Sequence, residues 1–275
     1  MHCLRLSSFA LLVVFAAPAL AQQADLTEDQ AAQAMDFAMH DAVFTLYHES
    51  GHLLVHELGL PVLGKEEDAA DALAVVQIFK NTADDDELFN TMNDVADGWY
   101  FSSINMTDDD LNTYDDHSLD IQRANAMVCL MVGAKPDEFA ETANAYEMDP
   151  DQQEACAGTY QQAVDSWASE LSTHLAKSPG PEIKITYEDA GEYQKFADEL
   201  KSRKILENLA ESLRTNFAMP RPLTFTAKIC DEANAFYEED THSITYCYDL
   251  AADMYDLGAA NLFTDDPKGR PDAAQ

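Results

Sequence analysis

His48-Glu49-Ser50-Gly51-His52 carries the residue types and spacing best suited to chemistry in this chain. It is an H-E-x-x-H motif in a segment that reads as helix. Two histidines four residues apart on a helix share a face and can supply two imidazole nitrogens to one zinc ion. Glu49 is rotated about 100° from His48, close enough to act as general base on a water that the ion activates. The implied chemistry is zinc-assisted hydrolysis, first of all of a peptide bond. The bland reading is an amphipathic helix with histidines on its wet face, and His40 and His56 continue the same spacing.

The surrounding residues weigh between these readings. Val43, Tyr47, Leu54 and Leu58 form an apolar stripe of helical period that leaves His48 and His52 off it. Gly59 and Pro61 predict the helix end. Gly51 costs about 1 kcal/mol inside a helix relative to Ala, which a close approach of another backbone would explain. A third ligand is needed. The extended H-E-x-x-H-x-x-G-x-x-H pattern fails, because Val55 and Leu58 occupy its glycine and histidine positions. His56 is out of register and is expected on the solvated surface. After the turn comes Glu66-Glu67-Asp68-Ala69-Ala70-Asp71, in which Glu67 and Asp71 lie i, i+4 on one face. Glu67 can bind the metal while Asp71 accepts a hydrogen bond from the outer nitrogen of a ligand histidine. Glu66 lacks such a partner, since position 70 is Ala. An acidic helix start favoured by the dipole would account for the acids alone.

H-E-x-x-H followed by Glu67-Asp68-Ala69-Ala70-Asp71 resembles the gluzincin peptidases, especially the CAAX prenyl protease and its heat-shock membrane relatives. Those relatives carry a downstream His-Pro with an Arg six residues after the His. Here His117 and Arg123 keep that interval, and Ser118 replaces the Pro. The resemblance implies that His117 faces the substrate carbonyl and steadies the oxyanion, and that Arg123 organises the site, for instance by pairing with Asp71. Read from the residues alone, His117 is a loop histidine among Asp115, Asp116 and Asp120, its pKa raised by them. A closer resemblance is to a secreted metallopeptidase family catalogued as a domain of unknown function. It rests on the motifs above with Leu60-Pro61-Val62, Gly64 and Cys129, and on Cys230, Asn234-Ala235-Phe236-Tyr237 and Ile244 through Leu250. In that family the last block precedes the H-E-x-x-H helix; here it follows, so the chain looks circularly permuted. The permuted order implies that the helix ending near Leu262 lies beside the start of the H-E-x-x-H helix. The gluzincin likeness also implies a zincin-like fold with a small sheet over the site helix and an edge strand that takes extended substrate. Tyr246 or Tyr248 could then reach the zinc, against the plainer reading of strand packing.

The ends and the composition narrow the setting. Arg5, the apolar run from Phe9 to Ala17 and Ala19-Leu20-Ala21 read as a secretory signal covering residues 1–21, too short to span a bilayer. No other stretch reaches membrane-spanning length, so a soluble secreted or periplasmic protein is expected. Without Cys3 four cysteines remain: Cys129, Cys156, Cys230 and Cys247. An even number in an oxidising compartment suggests two disulfides. Of the three connectivities, Cys129–Cys156 and Cys230–Cys247 keep each pair within a local module; four free thiols are the alternative. The net charge of −35 argues against nucleic acid or anionic lipid as partner. Acidic runs such as Asp84–Glu87 and Asp108–Asp110 read as solvated loops and caps, and the latter lacks EF-hand spacing.

The elements that must hold these residues are mostly helical up to residue 175. Helical periods cover 84–96, 119–132 and 156–175, the last with Trp167 on its apolar side. Ser178-Pro179-Gly180-Pro181 is a break. Residues 182–187, 223–229 and 243–248 alternate as strands, 193–216 reads as one helix, and 249–262 returns to helix. The expected fold class is α+β, mainly helical, with a small antiparallel sheet. We expect one domain over 22–262, its helical part at 22–177 and its sheet-bearing part at 182–262, with a loose tail at 263–275. The expected activity is that of a zinc metallopeptidase acting on peptide or protein substrates, with His48, His52 and Glu67 on one zinc ion, Glu49 and His117 catalytic, and Asp71 and Arg123 supporting. The rival is a non-catalytic secreted binding module that keeps the zinc as a structural clip; an intact Glu49 argues against it.

Overall fold

The computed structural model describes residues 26–107 and 112–263. The expected signal segment, the run Asp108–Asp110 and all of the expected tail beyond Phe263 lie outside the described residues.

Helix α1 spans Glu28–Leu58. It starts in a capping box, in which Thr27 accepts from the Gln30 backbone and Gln30 reaches back to the Thr27 backbone. It stops at Gly59, whose φ of 64° suits a residue without Cβ. The burial of α1 departs from the single stripe read in the sequence. Buried residues occur on every side of its middle, because four further helices and two strands all pack on it. Helices α2 (Glu66–Asn81), α3 (Asp85–Asn105), α4 (Asp120–Ala134), α5 (Pro136–Ala145) and α6 (Pro150–Leu171) build one side. The last starts earlier than its apolar period suggests, because Asp149 caps it and Pro150 takes its first position. A disulfide joins Cys129 of α4 to Cys156 of α6. The apolar faces of these helices enclose Phe44, Val75, Met92, Met131 and Phe139.

The other side of α1 holds β1 (Lys184–Tyr187), α7 (Gln194–Ser202), α8 (Ile205–Asn216), β2 (Thr224–Lys228), β3 (Ala235–Glu238), β4 (Ser243–Cys247) and α9 (Tyr248–Asn261). The sheet runs β1-β2-β4-β3. It is mixed, which corrects the antiparallel sheet expected: β1–β2 and β2–β4 are parallel, and only β3–β4 is antiparallel. The reason lies in the connections. Parallel strands need a long crossover, and α7 with α8 provides it between β1 and β2. The single helix expected over 193–216 is broken by Lys204 at φ 55°, which turns α8 so that Leu206, Leu209 and Leu213 reach the core. A second disulfide, Cys230–Cys247, ties the end of β4 to the loop after β2. Tyr246 and Tyr248 are fully buried packing residues. Helix α9 lies against the first half of α1: a Cβ on Gly258 would stand 2.9 Å from the Phe37 ring. Among the described residues no helix is long and apolar enough to cross a membrane.

The close contact that Gly51 implied is with α2. A Cβ on Gly51 would lie 2.9 Å from both Cα and Cβ of Ala70. Gly51→Ala therefore must push α2 away from α1. Overpacking of this kind costs about 1–3 kcal/mol, more than the roughly 1 kcal/mol gained in helix propensity. We expect a lower urea midpoint with unchanged slope; a variant as stable as the parent would show that Ala70 yields freely.

Candidate metal centre

Two helices build the site. One face of α1 presents His48 and His52, and the first turn of α2 presents Glu67. His48 Nε2 and His52 Nε2 are 3.2 Å apart. Glu67 Oε2 lies 3.1 Å from the first and 3.3 Å from the second. These three residues form the one group among the described residues whose donor atoms converge in a way that could hold a metal ion. The triangle suits the ion expected: tetrahedral ligands at about 2.0–2.1 Å from zinc stand about 3.3–3.4 Å from one another.

The outer nitrogens fix the inner ones. His48 Nδ1 is 2.7 Å from Asp71 Oδ1, and His52 Nδ1 is 2.7 Å from Glu66 Oε1. A proton donated at each Nδ1 leaves the Nε2 lone pairs facing the centre. Two lone pairs and a carboxylate oxygen then converge on one point, an arrangement that favours a cation. The titration of the groups expresses the same demand. Burial works against a charged His48, but Asp71 and Glu67 overcome it and raise its pKa to about 9. Burial likewise opposes the Glu67 charge, and hydrogen bonds from His117, His48 and His52 pull its pKa down well below the carboxylate range.

Glu66 was not recognised as part of the site. The i, i+4 rule searched for its partner on its own helix, whereas the partner is His52 on α1. Glu66 also accepts from His56 at 3.1 Å. His56 itself is partly exposed and stands outside the converging group, stacked on Tyr237.

Glu49 is buried, with Oε1 4.0 Å from His48 Nε2. Burial raises its pKa, an effect that His48, His52 and the backbone N–H of Tyr237 partly offset. That N–H belongs to β3, the edge strand, so the strand lies directly beside Glu49. His117 comes from the loop before α4. Its Nε2 is 2.9 Å from Glu67 Oε2, its Nδ1 is 3.1 Å from Asp115 Oδ1, and its side chain is 48% exposed. Its pKa is raised first by Glu67 and, after the opposing effect of burial, also by Asp115. Lys65 holds this loop by donating to the carbonyls of Asp115 (3.2 Å) and His117 (2.8 Å).

Arg123 reaches Asp71 in a two-pronged bond, Nε to Oδ2 at 2.8 Å and Nη2 to Oδ1 at 2.7 Å. Its guanidinium lies 3.4 Å above the Trp99 ring. Neither disulfide enters the site. A cleft of about 710 Å³ opens over His48, Glu49 and His52, with β3 along one wall and Trp99 along another.

A family profile described as "Putative metallopeptidase" matches residues 13–171 and 187–275. The chain belongs to that family, and the membership supports a general peptidase role. Neither a curated protein nor a solved structure matches the chain.

Asp71 and Arg123 are both buried, and removing the guanidinium leaves the Asp71 carboxylate with His48 as its remaining partner. Arg123→Met should lose stability, up to about 3–5 kcal/mol. Denaturation in the presence of a chelator reads this without any contribution from bound metal. Arg123→Lys, which keeps the charge but not the fork, should recover part of the loss.

Proposed function

We propose that the protein is an exported zinc peptidase in which His48, His52 and Glu67 hold one zinc ion and Glu49 is the general base. The observation that carries this reading is the triangle of donor atoms with edges of 3.1 to 3.3 Å, beside a buried carboxylate that is not part of it. When bound, the zinc would supply Lewis acidity toward a carbonyl and lower the pKa of water.

The protein's own groups do the rest. Glu49 takes the proton of the attacking water and passes it to the departing amine. Burial raises its pKa and so favours its taking up a proton. His117, on the solvent side of Glu67, donates to the oxygen that gains charge at the scissile carbonyl. Asp71 and Glu66 hold the two imidazoles in one tautomer and one orientation, and Arg123 keeps Asp71 ionised. The free edge of β3 offers backbone groups to an extended peptide laid along the cleft. The two disulfides are compatible with an extracellular or periplasmic setting. The gluzincin relationship and the permuted order belong to the same proposal, and the contact of α9 with the start of α1 supports the latter.

A structural zinc clip in a binding module would use the same three ligands but would have no use for Glu49. Metal analysis of purified protein, paired with Glu49→Gln on a peptide library, separates the readings. We expect one zinc per chain in both proteins, and cleavage that falls by about 10²–10⁴-fold in Glu49→Gln. Zinc without cleavage by the parent would favour the binding module. Absence of stoichiometric metal would defeat both.

A further inference from the structure

The cleft does not end at the zinc ligands. Its lining includes Asp41 and Phe44 from the N-terminal half of α1 and Trp99 from α3. Asp41 is seven residues before His48, which on a helix is about 20° short of two full turns. The two side chains therefore share a face, and Asp41 stands about 10 Å from the zinc ligand along the axis.

Asp41 is only 7% exposed. Buried carboxylates are as a rule paired or well hydrogen-bonded. Here the pairing is incomplete. The hydroxyl of Thr45 is 3.4 Å away, longer than an ordinary O–H···O bond. Arg123, the cation whose field reaches Asp41, spends its fork on Asp71. Tyr246, whose pKa is raised by burial and then by Asp41, has a buried hydroxyl without a hydrogen-bond partner. Burial pushes the Asp41 pKa up to about 7, against the opposing effects of Thr45 and Arg123. The metal site, the strand β3 and the Arg123 network account for none of this.

We infer that Asp41 closes a side pocket of the cleft that selects a basic residue, lysine or arginine, flanking the scissile bond of the substrate. The dimensions suit it. A lysine stem carries its ammonium about 6 Å from Cα, and the bonds between Cα and a carbonyl at the zinc make up most of the remaining distance. Phe44, Trp99, Leu250 and Met254 line the way and would pack on the methylene stem, while the ammonium meets the carboxylate. The net charge of −35 draws basic peptides toward the protein from a distance. Asp41 acts here on the substrate side chain and takes no part in bond breaking.

This inference rests on the peptidase reading, and its test separates the two. The first arm compares kcat/KM for paired peptides that differ only by lysine or norleucine beside the cleavage point. The parent should prefer lysine by about 10- to 100-fold, the range of a hydrogen bond to a charged group. Asp41→Asn, nearly identical in shape, should collapse that ratio toward one, and Asp41→Glu should restore part of it. The second arm needs neither zinc nor cleavage. With n-pentylammonium added at about pH 8, above the Asp41 pKa, the Trp99 indole resonance should shift saturably in the parent and not in Asp41→Asn; n-pentanol should shift neither. A protein that cleaves nothing but binds n-pentylammonium through Asp41 would defeat the peptidase reading and keep the subsite. A parent indifferent to lysine, or a preference and a shift that survive in Asp41→Asn, would overturn the inference.

Discussion

The contact between Gly51 and Ala70 is the constraint on which the site depends. Two helices that carried ordinary side chains at their crossing would be held further apart. Here the backbone of α2 sits directly over position 51, one residue before His52. Only at that separation can a carboxylate from the first turn of α2 reach both Nε2 atoms of α1. The same approach brings Asp71 and Glu66 behind the two imidazoles. One missing side chain thus sets the distances of the converging donors and of the groups that orient them.

The charges are arranged so that a cation in the centre completes them. Two imidazoles and Glu67 face inward, each imidazole backed by a carboxylate. Asp71 would be a costly buried anion by itself, but Arg123 lies on its far side, and Trp99 covers the guanidinium. Such a pair adds little to stability compared with well-packed apolar residues. Its worth lies in fixing the His48 ring. Three nitrogens crowd around Glu67 Oε2, those of His48, His52 and His117. Protons on these rings compete with a metal for the same oxygen and lone pairs, so acid opposes metal binding.

Much of this was legible because it is local. His48 and His52, and Glu67 and Asp71, are pairs on single helices, where spacing dictates which side chains share a face. The interval from His117 to Arg123 is legible only through a resemblance, because the two residues serve different partners, Glu67 and Asp71. What was missed depends on partners from other elements. Glu66 serves His52, Trp99 covers Arg123, and Lys65 holds the His117 loop, none of them within reach of an i, i+4 argument. Strand direction was misread for a related reason. Period-two alternation locates a strand but is the same for parallel and antiparallel neighbours; the crossover through α7 and α8 decides. The break at Lys204 has no proline or glycine to announce it, since a lysine in the left-handed region is required by the packing of α8 and not by local preference.

The burial of α1 on all sides explains why its polar residues are so specifically matched. A helix surrounded by other elements cannot turn its polar groups to bulk water, so each must find a partner. His40 has Asp94 at 2.6 Å. His48 has Asp71, and Glu49 has the Tyr237 N–H. Glu57 gathers Tyr237, His242 and Arg221, and so fastens the end of α1 to the β3–β4 hairpin and to the loop before β2. These partners come from α2, α3 and the sheet, and they hold α1 in one rotational setting. The cleft can therefore be cut against a helix whose orientation is fixed by charge on both sides. Asp41 departs from this rule, with a long bond to Thr45 and a cation already engaged elsewhere. A poorly matched carboxylate facing a cleft is best understood as matched by what enters the cleft.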